Sequence, residues 1–361
     1  MKKKLLLLMV VMVLALGSLA GCGASESAEK PAEGTKTVKD MTGADVTVPE
    51  EVKTLINCWP SSTQMTVTLG AVDKLAGVMG ALQSPSFTWL QTVAPQIKDV
   101  PAISDDKGGA NVEEMLKINP DLVVTSGEED AQDFRDAGLN AACMMFDSYD
   151  GLKKSVTAMG EMLGKKEQET ADKYVEYLNG NISKVENALK DLKDEDRPVV
   201  HYIDGQQGES IYTTAGTGTI MNEWIDIAGG KISTEGIAEG MTQEITAEQL
   251  LKVDPDIIVV GGINQAKAYK QFMNDKTMKD LKAVKNGKVY RIPQGTFQWC
   301  RFSSESALQV LWAAKTIHPD QFKDLDLAKE TKAFYKEYFN YDLSDDEVNA
   351  ILAGKNAPDG E

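Results

Sequence analysis

The sequence is poor in the residues that most often do chemistry: two histidines, four arginines and four cysteines in 361 residues. Each scarcity closes off a class of function. His201 and His318 belong to no HExxH pair and no spaced metal cluster, which argues against a zinc hydrolase and against a site for a free divalent cation. There is no G-x-S-x-G elbow and no Walker A loop. The stretch "GTGTIMN" starts like a dinucleotide fingerprint, but Met221 stands where the third glycine belongs. Positive charge is short as well: the formal net charge is -17, which makes a nucleic-acid partner untenable.

The chain opens "MKKKLLLLMVVMVLALGSLAGCG", three lysines followed by an apolar run of signal-peptide length. The run breaks at Gly17 and Ser18, short of the ~20 apolar residues a spanning helix needs. Residues 1–21 therefore read as a signal peptide. Leu19, Ala20, Gly21 and Cys22 resemble the bacterial lipobox, which implies that Cys22 becomes the lipidated N-terminus. Its loss of Lys2, Lys3 and Lys4 makes the mature chain more negative still. Residues 22–36 are small and polar and read as a flexible tether. Past Cys22, the odd set Cys58, Cys143 and Cys300 gives no disulfide framework. Carboxylates are numerous enough for chance pairs to occur, so an extracytoplasmic enzyme is kept as a remote alternative to a binding protein.

A repeat organises the remainder. "NVEEMLKINPDLVVTSG" at 111–127 returns as "TAEQLLKVDPDIIVVGG" at 246–262, with seven of seventeen positions identical. Val112, Met115 and Leu116, like Ala247, Leu250 and Leu251, fall at i, i+3 and i+4 and predict a short amphipathic helix facing a core. Pro120 and Pro255 close it, and the apolar runs after them predict strands buried on both faces of a parallel sheet. "TLINCW", "VVHYID" and "KVYRIP" read as further strands. Between the copies, Ala171, Tyr174, Val175, Leu178, Ile182, Val185, Leu189 and Leu192 recur at steps of three and four, predicting one long helix with no proline.

The fold class expected is α/β, two α/β sandwich lobes joined by one long helix with a ligand cleft between them. The lobes span 37–150 and 195–361, the second including terminal helices, with a connecting helical segment at 151–194. Strand ends of such sheets open on a ligand crevice.

Taken together, the lipobox, the polar tether, "KDMTGADVTVPEEVKTLI", "LGAVDKLAGVMG", "YTTAGTGTIMNEWIDIAGG" and "SSESALQVLWAAKTIHPDQF" resemble the class III periplasmic binding proteins. The resemblance covers nearly all the mature chain. It implies a rigid monomeric lipoprotein on the outer face of the bacterial cell membrane. Such a receptor hands iron-siderophores, haem, cobalamin or some oxyanions to an ABC importer, a permease dimer with its cytoplasmic ATPase. It also implies that Glu113 and Glu248, one per lobe, dock onto arginines of the two permease subunits. With Val112 and Leu116 facing inward, Glu113 reaches solvent, and Glu248 is placed alike.

Ligand residues are read from the chain itself. In "GTFQWCRFSSES", Phe297, Trp299 and Arg301 alternate and share a face if the segment is extended, ahead of a helix capped by Ser303 or Ser304. Arg301 offers a planar fork for a carboxylate, phosphate or oxyanion, or pairs structurally with an acid such as Glu305. Trp59 and Trp89, with the nearby Phe87, supply aromatic walls in the first lobe; Tyr202 and Tyr212 flank a loop of the second. Ser61 and Ser126 are hydroxyl donors for an oxyanion such as molybdate. Trp224, Trp312 and His201 read as core, and Cys58 and Cys300 as inert packing rather than metal ligands. No resident cofactor or metal is expected; the ligand is a metal chelate, with a corrinoid or an oxyanion as alternatives.

Overall fold

A computed structural model describes residues 34–105, 107–206, 210–357 and 360; the expected signal peptide, Cys22 and most of the tether lie outside them. The described chain begins with a hairpin, β1 (Thr35–Lys39) against β2 (Asp45–Pro49). Then β3 (Leu55–Asn57), β4 (Leu75–Val78), β5 (Leu122–Thr125) and β6 (Ala141–Cys143) form a parallel sheet in the order β4-β3-β5-β6. The second half has β7 (Val199–Asp204), β8 (Thr213–Thr214), β9 (Lys231–Ile232), β10 (Gln243–Glu244), β11 (Ile257–Gly261) and β12 (Val289–Arg291). There β12-β11-β7-β9 are parallel, and β8 pairs antiparallel with β10. Every residue of the repeated strands β5 and β11 is buried, as an unbroken apolar strand inside a parallel sheet requires.

The repeat also carries its own stop signals. Its helices run Val112–Ile118 and Ala247–Val253, capped at the start by the side chains of Asn111 and Thr246. They end on Asn119 and Asp254 in the left-handed region, at φ 52° and 46°, a conformation that a short polar side chain tolerates best. The aspartates after the two prolines do the same work in each lobe. Asp121 accepts the N–H groups of Lys53 and Thr54 at 2.7 and 2.9 Å, and Asp256 that of Val199 at 2.8 Å. Each thereby pins the entry of the neighbouring strand, β3 or β7.

One expectation is corrected here. Of the three apolar positions in each repeat helix, Met115 and Leu250 are fully buried, whereas Leu116 and Leu251 are 45% and 38% exposed. A helix of seven residues has room for one inward position per turn, and the residue beside it is rotated about 100° toward solvent.

Two helices connect the sheets, Tyr149–Leu163 and Lys165–Leu189, separated by Gly164. The second is the long helix expected; 25 residues give it a length of about 37 Å. It buries Ala171, Tyr174, Leu178 and Val185 and half-buries Val175, Ile182 and Leu189.

Buried polar contacts stitch the halves together around residues 294–306. From the Pro60–Thr68 helix, the Gln64 amide donates to Thr296 Oγ1 at 3.0 Å and Ser304 Oγ at 2.6 Å, and its carbonyl accepts Ser304 N–H at 3.1 Å. Thr68 lies 2.8 Å from the Ser304 hydroxyl. The connecting helices add Tyr149 to Ser306 O at 3.0 Å, Tyr174 to Ser304 O at 2.7 Å and Asn181 to Ala307 O at 2.8 Å. Opening the halves would exchange these bonds for bonds to water, at about 0.5–1.5 kcal/mol net for each.

Candidate functional site

Between the carboxyl ends of the two sheets lies a cavity of about 690 Å³, in the crevice where open α/β sheets bind ligands. Its first-half lining is Trp59, Pro60, Phe87 and Met145. The second half contributes Asp204, Gln206, Ser210, Thr213, Met241, Thr242, Glu244, Ile263, Phe297, Gln298, Arg301 and Phe302.

The sequence explains how these side chains arrive. Trp59 lies two residues past the end of β3 and sits at the N-cap of the Pro60–Thr68 helix, whose proline at the first position needs no donor. Its ring meets Phe302 at 5.7 Å and Phe146 at 5.8 Å, both edge-on. Phe302 itself has φ 53°, unusual for a bulky residue, and its carbonyl accepts the Ser61 hydroxyl. Across the cavity, Phe87 and Phe297 lie 6.1 Å apart, tilted.

Asp204 ends β7. The close approach of Gly205 to Gly261, N–H to carbonyl at 2.7 Å, together with Gly262 at φ 98°, turns both strand ends over and leaves no space for a Cβ at residue 205. The Gln206 N–H then donates to Asp204 Oδ1 at 2.9 Å. The Arg301 guanidinium donates to the same Asp204 oxygen at 3.0 Å and to Gln206 Oε1 at 3.2 Å, with side chains 6% and 3% exposed. Its carbon also stands 5.9 Å over the Phe302 ring. Burial disfavours the guanidinium charge, but Tyr202 and Asp204 outweigh it and hold Arg301 above its ordinary value. On the rim, Glu244 accepts the hydroxyls of Ser210, at 3.2 Å, and Thr213.

Of the residues singled out in the sequence, Trp59, Phe87, Phe297 and Arg301 line the cavity. The others do not. Trp299 is fully buried and its indole donates to Glu305 at 3.0 Å. The segment is not extended: Gln294 bridges back to Gln298 and a turn follows at 299–300, so Trp299 rotates into the core while Phe297 and Arg301 reach the cavity. The helix after it starts at Ser306 with Glu305 as N-cap, later than Ser303 or Ser304. Glu305 does not pair with Arg301. It accepts from Thr296 Oγ1, Phe297 N–H, Trp299 and Tyr335 at 2.5, 2.9, 3.0 and 2.7 Å. Burial pushes its pKa up and these four donors oppose the shift.

Trp89 is buried with its indole on Lys355 O at 2.8 Å. Tyr202 is buried against Cys300, 3.7 Å from its sulfur. Tyr212 is half-buried and its hydroxyl lies 3.5 Å from Asp275. Ser61 is buried under Phe302, and the Ser126 carbonyl receives the Cys143 thiol. For Trp89 and Ser61 a helix turn, and for Tyr202 an alternating strand, carries the side chain into the protein; Tyr212 and Ser126 lie in a turn and a bend beside strand ends and are half-buried. His201 is buried on Ser233 at 2.7 Å, and burial lowers its pKa to about 4, so it is uncharged near neutrality. Among the described residues no group of three or more His, Cys, Asp or Glu side chains is arranged to hold a metal ion.

The sequence analysis did not single out Asp204 and Gln206, although "VVHYIDGQQ" places them at the end of a strand and two residues past it. Phe302 stood in the quoted loop, one residue past Arg301. Met145, Met241 and Glu244 have no local signal; pairings distant in sequence bring them in.

A family model described as periplasmic binding protein matches residues 58–296. The chain is 29% identical over 327 residues to an ABC transporter substrate-binding lipoprotein of Bacillus subtilis, YvrC, itself uncharacterized, covering 87% of this chain and 97% of that one. It is 21% identical to the molybdate-binding protein MolA of Haemophilus influenzae, covering 84% and 91% of the two chains. A periplasmic solute binding protein from Veillonella parvula superposes with TM-score 0.75 at 24% identity, over 88% of this chain and 97% of the other.

Proposed function

This chain belongs to the periplasmic binding protein family and is the substrate-binding protein of an ABC transporter; from that premise we propose that its cleft captures a bulky metal chelate and delivers it unchanged to the importer. The observation that carries the ligand class is the cavity, about 690 Å³ and faced by Trp59, Phe87, Phe297 and Phe302. A cavity of this volume lined by aromatic faces matches a chelate or macrocycle with large apolar faces. A bare oxyanion such as molybdate would instead need several converging donors in a small socket, and Ser61 and Ser126 are not there to provide them. A corrinoid shares the chemistry of the first class and is the second reading.

In the same proposal Cys22 carries the lipid, palmitate included, that holds a monomer on the extracytoplasmic face of the cell membrane. No helix among the described residues is long and apolar enough to cross a membrane. The protein needs no resident cofactor and performs no reaction. Glu113 and Glu248 sit in the first turns of the repeat helices, at the cleft end of each lobe: the Asn111 N–H is bonded to Ile103, next to the end of β4, and Glu244 just before the other helix lines the cleft. We assign them to contacts with the permease dimer, one per subunit, with exposed Leu116 and Leu251 as matching apolar neighbours. Titrating the purified protein with ferric siderophores, haemin, cobinamide and molybdate tests the reading. Saturable binding of one bulky metal complex is expected; product formation from any of them, or binding of molybdate alone, would overturn it.

A further inference from the structure

The charge of the cleft restricts its ligand further. On the receptor reading above, we infer that Asp204 is a specificity-determining residue that reserves this cleft for neutral or cationic chelates carrying carbonyl-type oxygens and turns away oxyanions and anionic chelates. The charged side chains among the described residues lining the cleft are Asp204, Glu244 and Arg301. Arg301 is therefore the sole cation there, and a carboxylate already occupies it at 3.0 Å.

Asp204 cannot swing aside to release the guanidinium. Its oxygen also accepts the Gln206 N–H at 2.9 Å, and the next residue, Gly205, is tied by its N–H to Gly261 O at 2.7 Å on the neighbouring strand. An anion entering would meet an arginine already neutralised by Asp204 and one further carboxylate, Glu244, so the charged lining is net negative and offers it no free cation. A neutral oxygen acceptor meets no such barrier. A guanidinium has five N–H donors, and one nitrogen makes both bonds to Asp204 and Gln206, so the others are free to meet an amide or hydroxamate carbonyl. A cationic chelate gains from the net negative lining and from a whole-chain formal charge of -17.

The test is a competition series on the full-length protein in detergent, using a ferric trihydroxamate with a pendant ammonium, its acetylated neutral form, a ferric tricatecholate trianion, and molybdate. The wild type should bind both hydroxamates at least about tenfold more tightly than either anion. Asp204→Asn, which keeps shape while releasing Arg301, should improve the tricatecholate by about tenfold and weaken the cationic hydroxamate, with the neutral one changing least. Gln206→Glu leaves Asp204 in place, keeps an oxygen for Arg301 and adds an acid; it should shift the ratio the opposite way, and decides the matter if the Asn variant does not fold. Anions binding as tightly as the cationic chelate, or a ratio unmoved by Gln206→Glu, would overturn the inference. Failure of every chelate to bind would be a different result: it removes the receptor reading, and this inference with it.

Discussion

The two walls of the cleft are built by equivalent sheets and do unlike work. Among the described residues the first-half wall is Trp59, Pro60, Phe87 and Met145, with no charged side chain; the second-half wall holds Asp204, Glu244 and Arg301 along with the hydroxyls and amides. Behind the walls the halves agree in detail: a helix ending on a left-handed Asn or Asp, a proline, and an aspartate that ties down the neighbouring strand. The lesson is a division of labour. The repeat preserves what makes a sheet close and what faces outward, while the loops after the strands are free to differ, one offering a stacking surface and the other setting charge.

The sharpest way to break this comparison uses two tryptophans, each beside a cysteine. Trp299→Ala should cost about 3–5 kcal/mol of stability, the range for emptying a core aromatic, because it also orphans a bond to Glu305. Thermal unfolding reads it. A Trp299→Ala protein with unchanged melting and lost affinity would put that ring back in the site.

Next in size is the outward face. Glu113→Lys with Glu248→Lys should leave ligand binding within about twofold and abolish uptake in proteoliposomes carrying the transporter, since facing cations repel by several kcal/mol. Normal uptake would reduce the repeated acids to first-turn helix dipole partners. Trp59→Ala comes third, weakening chelate binding by about 1–3 kcal/mol while melting changes little, in contrast to Trp299→Ala.

The smallest effect separates the shared scaffold from the walls. Burial works against ionisation of Asp121 and Asp256, yet backbone N–H groups and neighbouring lysines hold both below the usual carboxylate range. A depressed folded pKa adds stability that is complete above the unfolded value of ~4 and disappears as pH falls through the folded one. Asp121→Asn and Asp256→Asn should therefore melt lower than wild type at pH 7, with the gap closing below about pH 4. Equal gaps at both ends of the range would contradict this pinning role.

The sheets, the long helix and the lobe repeat were legible because period and termination are local: an apolar run, a Pro-Asp pair and a three-four spacing each act within a few residues. The site was legible only in part. Trp59 and Arg301 follow strand ends or a loop and were found, while Trp299 was misplaced because a turn at 299–300 breaks an alternation that the sequence alone suggests. Leu116 looked buried since apolar spacing does not say how narrow a seven-residue helix's inner stripe is. Asp204 escaped because its partner is 97 residues away.

One measurement reaches the central claim. Of the five tryptophans, Trp59 lines the cleft and the other four are buried, so a ligand seated against the first wall must quench Trp59. Fluorescence titration of wild type and Trp59→Phe with a neutral ferric trihydroxamate should give saturable quenching in the first and loss of most of that signal in the second. Equal quenching in both proteins, or saturation by molybdate with none by the chelate, would contradict the account.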